Sequence, residues 1–274
     1  MTDMNTQPGL ELEIMAWNLR DGINQPEVQA EIVKAAPDVA VFPEAYAESE
    51  GLHDQTRAVF EEAGYTVHHC DYDDNDGRRD RHGLLVLARP NVLAEPSADA
   101  QKVRLAGRFA LQLTLANGTT FTGVHLDDRA EVRRSMQGRA AARRAGQMAL
   151  LAGDFNAMHR DDWRARLLRT AAPLANRLPA REPGQSMSKL QRLGSLAQRL
   201  TAMASGVTMH HLTSQGFRDA AATYEPTMKK GPIAGQLDHI LHRGDISVLV
   251  PTQVDDANGL SDHRRIRARV RLAR

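Results

Sequence analysis

Six times along this chain, an apolar run of strand type ends in a residue that carries chemistry. The endings are Ala16-Trp17-Asn18, Val41-Phe42-Pro43-Glu44, Gly123-Val124-His125-Leu126-Asp127, Leu151-Ala152-Gly153-Asp154-Phe155-Asn156, Gln236-Leu237-Asp238-His239 and Leu260-Ser261-Asp262-His263. Strands of this kind must pack as sheets, and the loops at one sheet edge are where layered proteins build their sites. If the six ends meet, carboxylates, amides and two imidazoles converge. Carboxylates that close repel one another unless a cation sits among them. A hard divalent ion with oxygen ligands is the chemistry implied, and Mg²⁺ (or Mn²⁺) fits a site with few carboxylates, waters and phosphate oxygens. Any one Asp at a strand end is an ordinary turn or cap residue. The weight lies in the recurrence.

The rest of the pattern supplies a frame. Leu10 to Asn18 alternates, with Leu12, Ile14 and Ala16 on one face. Pro26 opens a helix running to about Ala36. A short buried strand over 38–42 and a helix over 52–63 follow, with strands at 65–69 and 83–89. Asn117-Gly118 between two apolar runs predicts a hairpin of 108–116 with 119–126. A helix over 129–147, a strand over 148–152, helical pattern over 161–205 and strands at 237–242, 246–250 and 265–272 complete it. Strands outnumber helices in mixed order, which favours an α/β layered domain with paired sheets and outer helices.

Composition narrows the function classes. The chain has 274 residues, 42% apolar and 25% charged, as an ordinary globular protein does. Its lone cysteine, Cys70, excludes an internal disulfide framework and a cysteine-based zinc site. Apolar runs such as Leu84 to Ala88 are too short to span a bilayer, so no membrane insertion is expected. Residues 1–9 lack the pattern of a secretory signal and read as a flexible tail, and the chain as cytoplasmic. Net charge is +1, yet residues 129–206 carry 15 Arg or Lys against 5 Asp or Glu. One basic block thus sits in an acidic body, able to hold a polyanion beside a cation. Two solvated faces would give the same numbers.

The strings MAWNLR, FPEAY, GVHLDD, LAGDFNA, LDHI and LSDHRRI together resemble the endonuclease/exonuclease/phosphatase family, and they occur in family order. HGLLVLAR at 82–89, Arg134 and Gln137, and GFRDA at 216–220 are weaker matches. The resemblance implies a four-layer α/β/β/α sandwich with two packed mixed β-sheets, formed by residues 10–274 as a single domain. It also implies a phosphoesterase in which metal-activated water attacks a phosphodiester. Glu44 would be the principal metal ligand, with Asn18 beside it and Asp262 in the metal network. Asp154 would orient or deprotonate the attacking water, and Asn156 would hold a phosphate oxygen. His263, oriented by Asp238, would contact phosphate or activate water. His125 matches the second histidine of the deoxyribonuclease and sphingomyelinase branches and would assist the leaving group.

The segment at about 157–206 reads as a basic helical insertion emerging next to the site, with nine Arg or Lys and three acidic residues. It is expected to pack its leucine stripe on the sandwich and to give some contact to substrate, Arg164 among its residues. Arg81 and His82 are candidates for the site rim. DNA or RNA is the favoured substrate. A small-molecule or lipid-headgroup phosphoester is the alternative, and an inactive binding module a third reading. The acidic cluster of Asp71, Asp73, Asp74 and Asp76 has the wrong spacing for a calcium loop. Among the remaining histidines, His239 is near enough to Asp238 in sequence to line the site.

Overall fold

Strand alternation decides which side of the first strand meets which layer. In β1 (Leu10–Ala16), Leu12, Ile14 and Ala16 enter a core between two sheets, while Met15 enters a second core under helices. The computed structural model describes residues 9–47, 49–71, 82–128, 130–159, 161–162, 164–165, 168, 170, 203–230, 233–256 and 259–273. Along the chain β1 is followed by α1 (Pro26–Ala35), β2 (Val39–Phe42), α2 (Asp54–Glu62), β3 (Thr66–Asp71) and β4 (Gly83–Ala88). Then come β5 (Gln101–Leu105), β6 (Arg108–Thr114), β7 (Thr120–His125), α3 (Glu131–Arg144) and β8 (Ala149–Asp154). The last third contributes α4 (Val207–Ser214), β9 (Arg218–Asp219), β10 (Met228–Lys230), β11 (Ile233–Gly235), β12 (Asp238–Arg243), β13 (Ile246–Asp255) and β14 (Arg265–Leu272).

Two six-stranded mixed sheets result, with strand orders β13-β14-β1-β2-β4-β3 and β5-β6-β7-β8-β12-β9. Their facing sides share one core, in which Leu12, Ile14, Val41 and Val86 meet Leu111, Phe121, Leu150 and Ile240. The outer side of the first sheet buries Met15, Phe42 and Leu85 with Val28 and Ile32 of α1 and Phe60 of α2. The outer side of the second buries Val124 and Leu151 with Ala141 of α3 and Met209 and Leu212 of α4. The chain is therefore the α/β/β/α sandwich expected. Burying each Leu, Ile, Val or Phe contributes about 1.5–3 kcal/mol, so these three cores are what hold the layers.

Strand direction sets where the polar ends fall. β1 and β2 run parallel, as do β7 and β8, so these four strands present their C-terminal ends at one edge. β14 runs antiparallel to β1, and β12 antiparallel to β8, so these two present their N-terminal ends at the same edge. The six sequence endings therefore do share an edge. The sheets approach closely there: a Cβ on Gly123 would lie 2.7 Å from Val41 Cγ2 and 2.9 Å from Val86 Cγ2.

Some elements differ from the sequence expectation. β8 continues past Ala152 to Asp154, and β13 reaches Asp255. β5 was hidden because only Val103 and Leu105 of its five residues are apolar and buried. It is an edge strand whose other face carries Lys102 and Arg104. α4 is rich in residues of modest helix propensity, Val207, Thr208 and Thr213. It forms because Glu131 of α3 accepts the N–H and hydroxyl of Thr208 at 2.9 and 2.8 Å, satisfying donors of its first turn. Most of the predicted basic insertion, including Trp163 and residues 171–202, lies outside the described residues, as do Arg81 and Asp73, Asp74 and Asp76. Among the described residues no helix is long and apolar enough to cross a membrane.

Candidate active site

Sheet register builds the floor of the site. In the second sheet His125 pairs with Asp154 across β7 and β8, and Asp154 pairs with Asp238 across β8 and β12. The three residues form one row, all buried. Asp154 must follow Gly153, whose φ of +134° suits glycine alone and whose Cβ would fall on the Val124 carbonyl. From the first sheet, Asn18 Nδ2 donates to Asp154 Oδ2 at 3.0 Å. His125 Nε2 lies 3.6 Å from Glu44 Oε1 and 3.8 Å from Asp154 Oδ2. His263 Nδ1 donates to Asp238 Oδ2 at 2.8 Å. Ligand atoms of Asp154, Asp238 and His263 lie within 4.8 Å of one another. Thus groups from both sheets meet as the endings implied.

Neighbouring polar residues fix these groups. Ser261 Oγ donates to the Asn18 carbonyl at 2.7 Å and accepts the His263 N–H at 3.1 Å. Trp17 Nε1 donates to the His263 carbonyl. Thr227 Oγ1 accepts the N–H groups of Leu237 and Asp238. Behind His125, the fully buried Arg134 donates to the Asp127 carbonyl and to Glu131, and Gln137 accepts the Asp127 N–H. Arg134 and Gln137, weak matches in sequence, thus brace the loop that follows β7. Glu44 and Asn156 hold left-handed backbones, with φ of +47° and +49°. Such residues persist only where their surroundings over-determine them. Here Asp21 N–H donates to the Glu44 carbonyl at 2.6 Å, and Asn156 donates through its N–H to Asp154 Oδ1 and through Nδ2 to the Leu126 carbonyl.

The electrostatics separate the two imidazoles. Burial disfavours a charged His263, but the Asp238 carboxylate, its hydrogen bond, and the charges of Asp154 and Asp262 outweigh it and raise the pKa to about 10. Burial, then the charges of Arg108, His82 and His263, holds His125 well below its usual value. Burial and the adjacent Asp238 carboxylate push Asp154 up to about 7, against the pull of His263, Asn18 and Asn156. One imidazole is therefore kept charged and the other neutral. Pairs driven apart in this way are the mark of acid–base sites.

A divalent cation fits this donor set. Asp238 Oδ1 is buried with no hydrogen-bond partner among the described residues, and Asp154 and Asp238 repel. A cation beside Asp154, Asn18 and Glu44 would relieve that repulsion with hard oxygen donors.

The rim is more open. Asp262 Oδ2 lies 3.4 Å from Arg20 Nη1, with side chains 26% and 66% exposed, so this carboxylate is shared with a surface guanidinium. His82 Nδ1 and Asp21 Oδ1 are 2.7 Å apart. The isolated bridge of His82 to Ala47 sets His82 beside the Glu44 loop. Asp21 directly follows MAWNLR, but a lone Asp in a turn carries no sequence signal. Arg164 Nη1 donates to the Tyr224 carbonyl at 2.9 Å and lies 3.5 Å from Asp162. His239 does not line the site. It follows Asp238 on β12, so it points to the opposite face, where it is buried against Asp219 and Phe155.

The sequence model described as the endonuclease/exonuclease/phosphatase family matches residues 15–263. No curated protein matches the chain. Solved structures share its fold. An endonuclease/exonuclease/phosphatase from Beutenbergia cavernae DSM 12333 superposes with a TM-score of 0.58 at 16% identity, over 96% of this chain and 72% of that one. ANGEL2, a 2′,3′-cyclic phosphatase solved with adenosine-2′,3′-vanadate, gives 0.59 at 14%, over 97% of each chain. The catalytic domain of Xenopus laevis APE2 gives 0.55 at 14%, over 93% and 90%.

Proposed function

The chain belongs to the endonuclease/exonuclease/phosphatase family, and from that premise we propose that it is a Mg²⁺- or Mn²⁺-dependent phosphodiesterase acting on nucleic acid. The observation that carries this reading is the meeting of buried Asn18, His125, Asp154, Asp238 and His263 with half-buried Glu44, from two sheets, in one cluster. Glu44, Asn18 and Asp262 would hold the ion. When bound, it would supply positive charge against the phosphate and acidify a water. Asp154, with a pKa near 7, takes the proton of the attacking water. His263, charged at neutral pH and fixed by Asp238, donates through Nε2 to a phosphate oxygen. Asn156 Nδ2 has a second N–H for another oxygen. His125, neutral, stands beside the leaving group. Arg81, His82 and Arg164 are the proposed contacts to flanking substrate.

Hydrolysis of bis-p-nitrophenyl phosphate with Mg²⁺ or Mn²⁺, and its loss in EDTA, tests the reaction. A panel of plasmid DNA, abasic DNA, RNA, inositol phosphates and sphingomyelin tests the substrate. Metal-independent hydrolysis, or none, overturns the first claim. Preference for a small phosphoester overturns the second. One observation favours that alternative: the Arg164 guanidinium is engaged by the Tyr224 carbonyl and Asp162.

A further inference from the structure

β12 carries two Asp–His pairs at adjacent residues, one on each face. Asp238 serves His263 in the site. His239, fully buried, lies between two oxygens: Asp219 Oδ2 at 2.6 Å from Nδ1, and the Ala157 carbonyl at 2.8 Å from Nε2. Its ring meets Phe155 edge-on at 5.6 Å. Asp219 sits on the edge strand β9, and Ala157 lies three residues after Asp154. His239 thus ties the edge of the sheet to the loop that bears Asp154 and Asn156.

That loop needs holding. Asn156 is left-handed, a conformation that costs about 1–3 kcal/mol in a non-glycine residue. From the site side it is held by Asp154 Oδ1 and the Leu126 carbonyl, and along the chain by Phe155 N–H to Leu237 and Met158 N–H to Met203. From the outer face it is held by His239. A buried Asp–His pair costs desolvation that an apolar pair of similar size would not. Packing alone gives no reason for it.

We propose that His239, backed by Asp219, is a positioning residue that clamps the Ala157 carbonyl and so sets the placement of Asp154 and Asn156. The kinetic part of this rests on the phosphodiesterase reading; the clamp itself does not. His239→Phe keeps a ring against Phe155 and removes both hydrogen bonds. Asp219→Val with His239→Phe also removes the carboxylate whose Oδ2 loses its imidazole, together with the Ala221 N–H bond to Oδ1, should the single variant fold poorly. Asp219→Asn keeps both contacts through a neutral ring, its amide donating to Nδ1 while Nε2–H still reaches Ala157.

The test is amide hydrogen exchange of the full-length chain by mass spectrometry, with kinetics on bis-p-nitrophenyl phosphate. Exchange over residues 154–159 should rise at least tenfold in His239→Phe and in the double variant, and stay at its original rate in β7. The kcat should fall about 10- to 100-fold with KM nearly constant, and Asp219→Asn should lose at least tenfold less. Unchanged exchange over 154–159 in both ring variants overturns the clamp, whatever the activity. A fall in kcat matched by Asp219→Asn overturns it as well. A wild-type chain without phosphodiesterase activity overturns the earlier reading, while exchange still decides the clamp.

Discussion

Asp238→Asn is the sharpest perturbation, because the structure assigns the carboxylate two electrostatic duties and almost no packing change follows. Its Oδ2 accepts the His263 Nδ1–H at 2.8 Å, and its charge raises the pKa of both His263 and Asp154. Asparagine keeps the shape and the contacts of the backbone N–H with Thr227. It removes the charge and lets the amide dictate the imidazole tautomer. Against the penalty of burial, Asp238 and its hydrogen bond push His263 up to about 10 in the folded chain, against about 6.5 for an ordinary imidazole. The folded state therefore keeps a proton that the unfolded state releases across this interval. The stability this contributes is fully present below about 6.5 and is lost as pH rises through about 10, at up to ~1.4 kcal/mol per pH unit. In Asp238→Asn most of that slope should vanish. Urea unfolding at pH 7, 8 and 9 should show the difference between wild type and variant shrinking as pH rises. The kcat on bis-p-nitrophenyl phosphate should fall about 10²- to 10⁴-fold. Parallel stability profiles, together with a kcat within threefold of wild type, would refute the pairing of Asp238 with His263 as a functional unit.

Three further outcomes are expected. Mg²⁺ at about 100 times its Kd should stabilise the chain by ~2.7 kcal/mol in calorimetry, and its affinity should rise as pH passes about 7, where Asp154 ionises; a pH-independent affinity counts against Asp154 lying at the ion. His125→Asn should lower kcat by about 10²-fold while leaving Mg²⁺ affinity nearly intact, because His125 lies beside Glu44 and Asp154 and is not among the proposed ligands. Gly153→Ala should destabilise by about 3 kcal/mol or more, because the new Cβ meets the Val124 carbonyl at a φ of +134°; a loss under 1 kcal/mol in urea would contradict the described backbone.

The layers and the site were legible in sequence to different depths. Period-two alternation revealed β1, whose Leu12, Ile14 and Ala16 face the central core, and Asn117-Gly118 revealed the hairpin of β6 with β7. β5 and β9 were not legible: short edge strands with charged outer faces, they are held by neighbours rather than by their own pattern. The site residues were legible because chemistry recurs at strand ends. Their supports were not. Ser261 acts through the Asn18 carbonyl, Thr227 through the N–H groups of Leu237 and Asp238, and Asp21 through His82, and no local signal marks such a side chain as structural until its partner is known. His239 shows the converse, since nearness to Asp238 in sequence suggested the site while strand geometry sent it to the other face.

That last case shows how narrowly the site is specified. In a strand a slip of one residue exchanges the two faces. Moved by one position, β12 would bring His239 toward Asp154 and carry Asp238 outward, leaving His263 without its carboxylate and Asp219 without its imidazole. Six pairings, Asp238 with Asp154 through Arg243 with Ala149, fix the register. The slip is costly because it would turn Arg243, whose guanidinium lies over Phe217 and donates to the Ala142 carbonyl on the outer side, toward the central core that now takes Ile240. The packing that builds the sandwich therefore selects which of two adjacent titratable residues faces Asp154 and His263, and the buried row inherits its placement from the two cores.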